Sequence, residues 1–159
     1  MFLRKATIED IPRIAEIIVF TKRHTYRDIF KNDEVSFNVI QVLSEAERYS
    51  QSGALDDMYV YDDGIVKAMI NAHIEEDYIE LSDFYVDKFF QKEGIGTYVM
   101  NEFMKQANID AKEIKFWVLD KNVPARKFYE NLGFRLTGVS QEFENSGFFI
   151  LQYSKKNIK

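Results

Sequence analysis

Tyr85-Val86-Asp87-Lys88-Phe89-Phe90-Gln91-Lys92-Glu93-Gly94-Ile95-Gly96-Thr97 is the stretch on which the fold turns. Upstream lies a β-like run, Tyr78 to Val86. Downstream, Thr97 to Ala107 reads as a helix. Two glycines one residue apart sit between them. A strand, a glycine turn and a helix together form a recurrent anion site. Glycine lets the backbone approach a ligand closely. The N–H groups of the first helical turn then face negative charge, and a pyrophosphate fits that demand. The glycines alone do not decide function, because plain strand-to-helix turns also use them. No Gly-Lys-Ser/Thr follows, so this is not a Walker loop. A third glycine is missing, so it is not a dinucleotide fingerprint either.

The 159-residue length predicts one domain, residues 1–159. An apolar fraction of 46% with 14 Phe and 9 Tyr supplies ample core. Lys plus Arg is 21 against 26 for Asp plus Glu, a net charge of −5. That balance argues against nonspecific nucleic-acid binding. There is no Cys, which removes disulfides, thiolate zinc and a cysteine nucleophile. His24 and His73 lie far apart, so no His-rich metal motif is visible and no metal is expected. Arg4, Lys5, Glu9 and Asp10 interrupt any signal-like apolar run. No stretch reaches membrane-spanning length. A cytoplasmic protein is the expectation.

Periodicity predicts the remaining elements. Phe2 to Ala6 reads as a strand. Ile8, Ile11, Ile14, Ala15 and Ile18 recur at helical spacing, in a helix ending near Thr25. Pro12 leaves its start open between Thr7 and Asp10. Asp33 to Gln51 carries a second helical pattern, Val35, Val39, Val42, Leu43 and Ala46. Met58 to Tyr61, Ile65 to Ile74 and Tyr78 to Val86 read as strands, the first two joined by an Asp62-Asp63-Gly64 turn. Glu113 to Leu119 reads as a strand and Asn122 to Asn131 as a helix stopped by Gly133. Two closing strands, Phe134 to Phe143 and Phe148 to Tyr153, turn at Asn145-Ser146-Gly147. The order is β-α-α-β-β-β-α-β-α-β-β, a mixed α/β domain. The apolar Phe148-Phe149-Ile150-Leu151 suggests strand pairing across a homodimer.

A second motif shifts the balance toward function: Asn122-Val123-Pro124-Ala125-Arg126-Lys127-Phe128-Tyr129-Glu130-Asn131-Leu132-Gly133-Phe134. With Gln91, Gly94 and Gly96 upstream, it resembles the GNAT superfamily of N-acetyltransferases. That family's loop pattern is Arg/Gln-x-x-Gly-x-Gly/Ala. Its later pattern is met at Asn122, Ala125, Phe128, Tyr129, Gly133 and Phe134. The opening Arg4-Lys5-Ala6-Thr7 with Asp10 is also similar.

The resemblance implies a mostly antiparallel mixed sheet of six to seven strands, splayed between strands 4 and 5 and flanked by about four helices. It implies acetyl-CoA as co-substrate and direct acetyl transfer to a primary amine. The backbone of Phe84, Tyr85 and Val86 is then expected to pair with the pantetheine arm. The amides of Gln91, Lys92, Glu93, Gly94, Ile95, Gly96 and Thr97 are expected to hold the pyrophosphate, with the Glu93 side chain turned outward. Lys88 and Lys92 either assist or are plain solvated lysines. Asn122 contacts the cofactor arm, caps its helix, or does both. Tyr129 matches the general acid at the departing sulfur, with an ordinary core aromatic beside Phe128 as the competing reading. Glu80 shares a strand face with Ser82, Phe84 and Val86 and is the first candidate for the base. A solvent-facing strand carboxylate is the competing reading. Asp83, on the opposite face, is the weaker candidate. Tyr26, Phe30, the start of the second helix and the last hairpin are expected to form the acceptor pocket. A non-catalytic acyl-CoA-binding module on the same fold is the alternative function.

Overall fold

A computed structural model describes residues 2–106 and 113–156. Ala107, expected at the end of the third helix, lies outside them. The strands are β1 (Leu3–Lys5), β2 (Met58–Asp62), β3 (Val66–Ile74), β4 (Tyr78–Val86), β5 (Glu113–Leu119), β6 (Arg135–Glu142) and β7 (Phe149–Lys156). The α-helices are α1 (Ile11–Phe30), α2 (Val42–Tyr49), α3 (Ile95–Gln106) and α4 (Val123–Asn131). The strands form one mixed sheet in the order β1-β2-β3-β4-β5-β7-β6. The pairs β1–β2, β2–β3, β5–β7 and β6–β7 are antiparallel, and β4–β5 is parallel. The β4–β5 register covers Tyr78–Glu80 against Glu113–Lys115, while β4 runs on to Val86.

By internal contact the chain forms two compact units. The first holds the described residues up to Ala72 and the stretch from Asp83 through α3. Its core joins Ile11, Ile14, Ile17 and Ile18 of α1 to Tyr49, Met58, Val60 and Met69. The isoleucines recur at the spacing that puts one helix face inward. A short 3-10 turn, Ile8–Asp10, precedes α1 and settles the start that Pro12 left open. Arg4 ties this corner together, with hydrogen bonds of 2.8 and 2.9 Å to Asp10 and 2.8 and 3.1 Å to Asp62.

Two helical stretches depart most from the sequence reading, and α3 starts at Ile95, two residues before the expected Thr97. α1 continues past Thr25 to Phe30, because Tyr26 and Phe30 pack edge to face at 5.1 Å along its last turns. Lys31, at φ 53°, closes it with its N–H on the Arg27 carbonyl. The left-handed position itself is a lysine, with the asparagine one place later at Asn32. The second pattern is not one helix but a π-helical turn, Glu34–Val39, followed by α2. Ile40 between them is extended, and Arg23 donates to its carbonyl at 3.0 Å. That distant donor meets the hydrogen-bonding need a continuous helix would have met, so the chain breaks there. Val39 and Leu43, expected on a packed face, are exposed.

The second unit holds His73–Ser82 and the described residues from β5 onward. Phe116 of β5 is its centre. The Phe134 ring lies 4.9 Å away, and Tyr153 stacks on Phe116 at 5.9 Å with an 8° interplanar angle. Phe148-Phe149-Ile150-Leu151 does not offer a pairing edge, contrary to the sequence expectation. Ile150 and Leu151 register with Leu119 and Val118 on one side and with Gln141 and Ser140 on the other. β7 is therefore an interior strand, and β6 takes the outer place.

Candidate active site

The first unit carries the glycine loop. Asp87 directly follows β4, and its carboxylate accepts the Phe89 N–H at 2.8 Å, capping a 3-10 turn over Lys88–Phe90. The Gln91 side-chain amide donates to the Val86 carbonyl at 3.0 Å. That side chain is thus engaged with the strand end. Lys92 and Gly94 then adopt left-handed backbone, at φ 66° and 83°. A Cβ at Gly94 would meet nothing within 4 Å, so only conformation requires glycine there. Ile95 is buried and opens α3. The Tyr98 N–H bonds the Gly94 carbonyl at 3.0 Å, so the amides of Ile95, Gly96 and Thr97 precede this bond. No acidic residue lies in the first turn of α3. Glu93, just before it, is exposed, and its charge helps to raise the Lys67 ammonium, after the larger effect of Asp63. A left-handed loop that opens into a helix leaves the first amides of that helix without an intrahelical carbonyl partner, a setting that suits an anion.

The burial of β4 alternates cleanly. Ile79, Leu81 and Asp83 are buried, whereas Glu80 and Ser82 fall on the other face. Phe84, Tyr85 and Val86 are half-buried and lie beyond the stretch registered with β5. Tyr85 packs against the core of the first unit. Asp83 accepts the Tyr49 hydroxyl at 3.2 Å in a buried pair. Burial, reinforced by the Asp83 charge, pushes the Tyr49 phenol above the ordinary tyrosine range.

The second unit carries Glu80, Asn122 and Tyr129. Glu80 stands in register with Lys115, whose ammonium lies 3.4 Å from Glu113 and over the Tyr78 ring at 5.2 Å. Asn122 caps α4, its side-chain oxygen accepting the Ala125 N–H at 3.3 Å. The Tyr129 ring packs on Phe116 at 4.2 Å and beside Phe128 at 5.2 Å. Burial pushes its phenol well above the ordinary range, so the proton stays on through neutral pH.

Two supports of these residues escaped the sequence reading. Arg126 donates to the Tyr153 hydroxyl at 3.0 Å and to Asp120 at 2.8 Å, while Tyr153 donates to Glu130 at 2.7 Å. This network joins α4 to β7. In the first unit, Arg13 reaches Asp87 at 2.6 Å. Asp87 after a strand is a legible cap, but nothing local pairs it with α1. Among the described residues, no group of three or more His, Asp or Glu is placed to share a metal ion. Likewise, no described helix is long and apolar enough to cross a membrane.

A family model for the acetyltransferase (GNAT) domain matches residues 23–157. The chain belongs to the GNAT acetyltransferase family. The fold of this acetyltransferase domain is shared with solved structures of low identity. An N-acetyltransferase from Staphylococcus aureus Mu50 superposes at a TM-score of 0.74 with 12% identity, over 98% of this chain and 100% of that one. The PaiA N-acetyltransferase from Thermoplasma acidophilum, solved in complex with coenzyme A, gives 0.68 and 21%, over 94% and 96%. A putative streptothricin acetyltransferase from Bacillus anthracis str. Ames, in complex with acetyl coenzyme A, gives 0.54 and 21%, over 62% and 61%.

Proposed function

We propose that residues 1–159 form one acetyl-CoA-dependent N-acetyltransferase domain that moves acetyl directly from the thioester to a primary amine. The observation that carries this reading is the loop, with its left-handed Lys92 and Gly94 opening into an acid-free first turn of α3. The amides of Gln91 through Thr97 take the pyrophosphate, and the backbone of Phe84–Val86 takes the pantetheine arm. Two of the solved relatives are complexes with coenzyme A or acetyl coenzyme A, which supports the same ligand here.

The amine nitrogen attacks the thioester carbonyl, the new amide bond forms and the carbon–sulfur bond breaks, and the proton the nitrogen sheds on becoming an amide ends on the sulfur of the released CoA thiol. An alkylammonium, with a pKa near ~10, must first lose a proton. Glu80 takes it, directly or through water. The N–H near Val86 donates to the carbonyl oxygen as charge builds there. We assign Tyr129 to the departing sulfur. A thiolate whose thiol has a pKa of about 8.5 cannot fully deprotonate a phenol raised above the ordinary ~10, so Tyr129 acts chiefly by donating a hydrogen bond to the developing thiolate. Asn122 both caps α4 and orients the cofactor arm.

The test pairs calorimetric titration of acetyl-CoA with an amine-acceptor screen that reads thiol release. Gly96→Glu puts a carboxylate among the loop amides and should abolish binding while leaving the far-UV spectrum unchanged. Normal affinity in that variant would place the pyrophosphate elsewhere. Binding without turnover on any amine class would favour the non-catalytic module.

A further inference from the structure

We propose that Arg13 is a positioning residue for the cofactor loop, holding it in its pyrophosphate-ready shape through Asp87; the inference rests on the function proposed above. Arg13 lies in the first turn of α1, remote in sequence from the loop, and neither motif includes it. Its guanidinium spans three partners. Nε donates to the Val66 carbonyl at 2.9 Å, and the two terminal nitrogens reach Glu16 and Asp87, each at 2.6 Å. Arg13 therefore links α1, the start of β3 and the residue that directly follows β4.

Asp87 is the joint. It is only 8% exposed. One carboxylate oxygen takes Arg13, and the other caps the Phe89 N–H. Its own N–H bonds the Lys67 carbonyl at 2.8 Å, and its carbonyl accepts the Phe90 N–H at 2.9 Å. Every one of these bonds fixes the direction in which the chain leaves β4. Four residues later the Gln91 side chain closes back onto Val86. The left-handed Lys92 and Gly94 follow at once. A non-glycine residue in the left-handed region carries a conformational cost and persists only where its surroundings hold it. The Arg13–Asp87 pair supplies that hold on the upstream side.

A planar guanidinium suits this task because it serves three acceptors at fixed angles, which an ammonium cannot do. Without it, Asp87 is left buried with an uncompensated charge, and its carboxylate turns toward water. The Phe89 cap then weakens, and the loop amides must be ordered by the ligand at the expense of affinity. The backbone bonds of Asp87 to Lys67 and Phe90 do not involve Arg13, so the sheet persists. Chemistry at Tyr129 and Glu80 does not pass through this pair.

Titration of CoA into wild type, Arg13→Gln and Arg13→Lys tests the idea, alongside steady-state kinetics on acetyl-CoA and on S-acetylpantetheine, which lacks the pyrophosphate. Arg13→Gln should raise the Kd for CoA about tenfold through lost preorganisation. It should raise the KM for acetyl-CoA in parallel and leave kcat, and the KM for S-acetylpantetheine, near wild type. Arg13→Lys should fall between the two. Asp87→Asn should weaken CoA similarly, and the double variant Arg13→Gln/Asp87→Asn should be no worse than the weaker single, since both break one link. A wild-type Kd in Arg13→Gln overturns the inference alone. An equal rise in KM for both thioesters also overturns it, because that marks general damage. Should Arg13→Gln not fold, Arg13→Lys and Asp87→Asn carry the same comparison. Failure of wild type itself to bind CoA removes the proposed function and this inference with it.

Discussion

Tyr153→Phe removes one oxygen from a fully buried ring and leaves the ring's packing intact. That hydroxyl accepts from Arg126 at 3.0 Å and donates to Glu130 at 2.7 Å, so two hydrogen bonds to charged groups disappear together. Each such bond contributes about 1.5–3 kcal/mol net. Part of that loss is offset, because Arg126 keeps its 2.8 Å bond to Asp120 and Glu130 is accessible to water. Phe also retains the stacking on Phe116, so no cavity opens. The expected destabilisation is about 2 kcal/mol. For a chain of this length that lowers Tm by about 4–8 °C. Urea unfolding should show a lower midpoint at unchanged m-value. The same network joins α4, with Asn122 and Tyr129, to β7, so turnover should fall more than CoA affinity. A Tm change under about 1 °C, worth only a few tenths of a kcal/mol, would refute the claim that this network holds α4 in place.

Three further outcomes are expected. Tyr129→Phe keeps the ring contacts with Phe116 and Phe134, so stability should hold while kcat drops roughly a hundredfold, the scale for losing one hydrogen-bond donor to developing charge; unchanged turnover across pH would remove Tyr129 from the chemistry. Glu80→Gln should cost about a hundredfold near neutral pH and recover as pH rises, because more acceptor amine is then neutral; a uniform loss at every pH would identify a structural carboxylate. The third outcome is stability against pH. The Tyr49, Tyr129 and Tyr153 phenols are raised, chiefly by burial, so their contribution is complete below the ordinary value of 10.0 and is lost as pH climbs through the folded values. Asp10 is depressed, chiefly by its bond to Arg4, so its contribution holds above the ordinary 3.8 and is lost as pH falls through the folded value. Alkaline denaturation setting in well below pH 10 would contradict the phenol assignment.

Local chemistry alone determined much of this protein. β4 and β5 match their predicted ranges residue for residue, because alternating or continuous apolar runs bounded by turn residues leave little choice. The strand-to-helix turn and α4 were legible because glycine, a capping Asn and a stop glycine act within a few residues. What local chemistry did not determine depends on partners far along the chain. The break at Ile40 needs Arg23, and the extension of α1 ends on a left-handed Lys31 that no propensity marks. The apolar Phe148–Leu151 run looked like a free edge, yet β7 is paired on both flanks, since an apolar strand says it will be covered and not by what. Around the candidate site, the turns and caps were readable, whereas the long-range contacts that support them were not. Arg13 finds Asp87 across 74 residues, and Arg126 finds Tyr153 across 27. Periodicity carries no information about such pairs, because a charge–charge or charge–hydroxyl contact is set by where the packed elements bring the chain, and only the tertiary structure decides that.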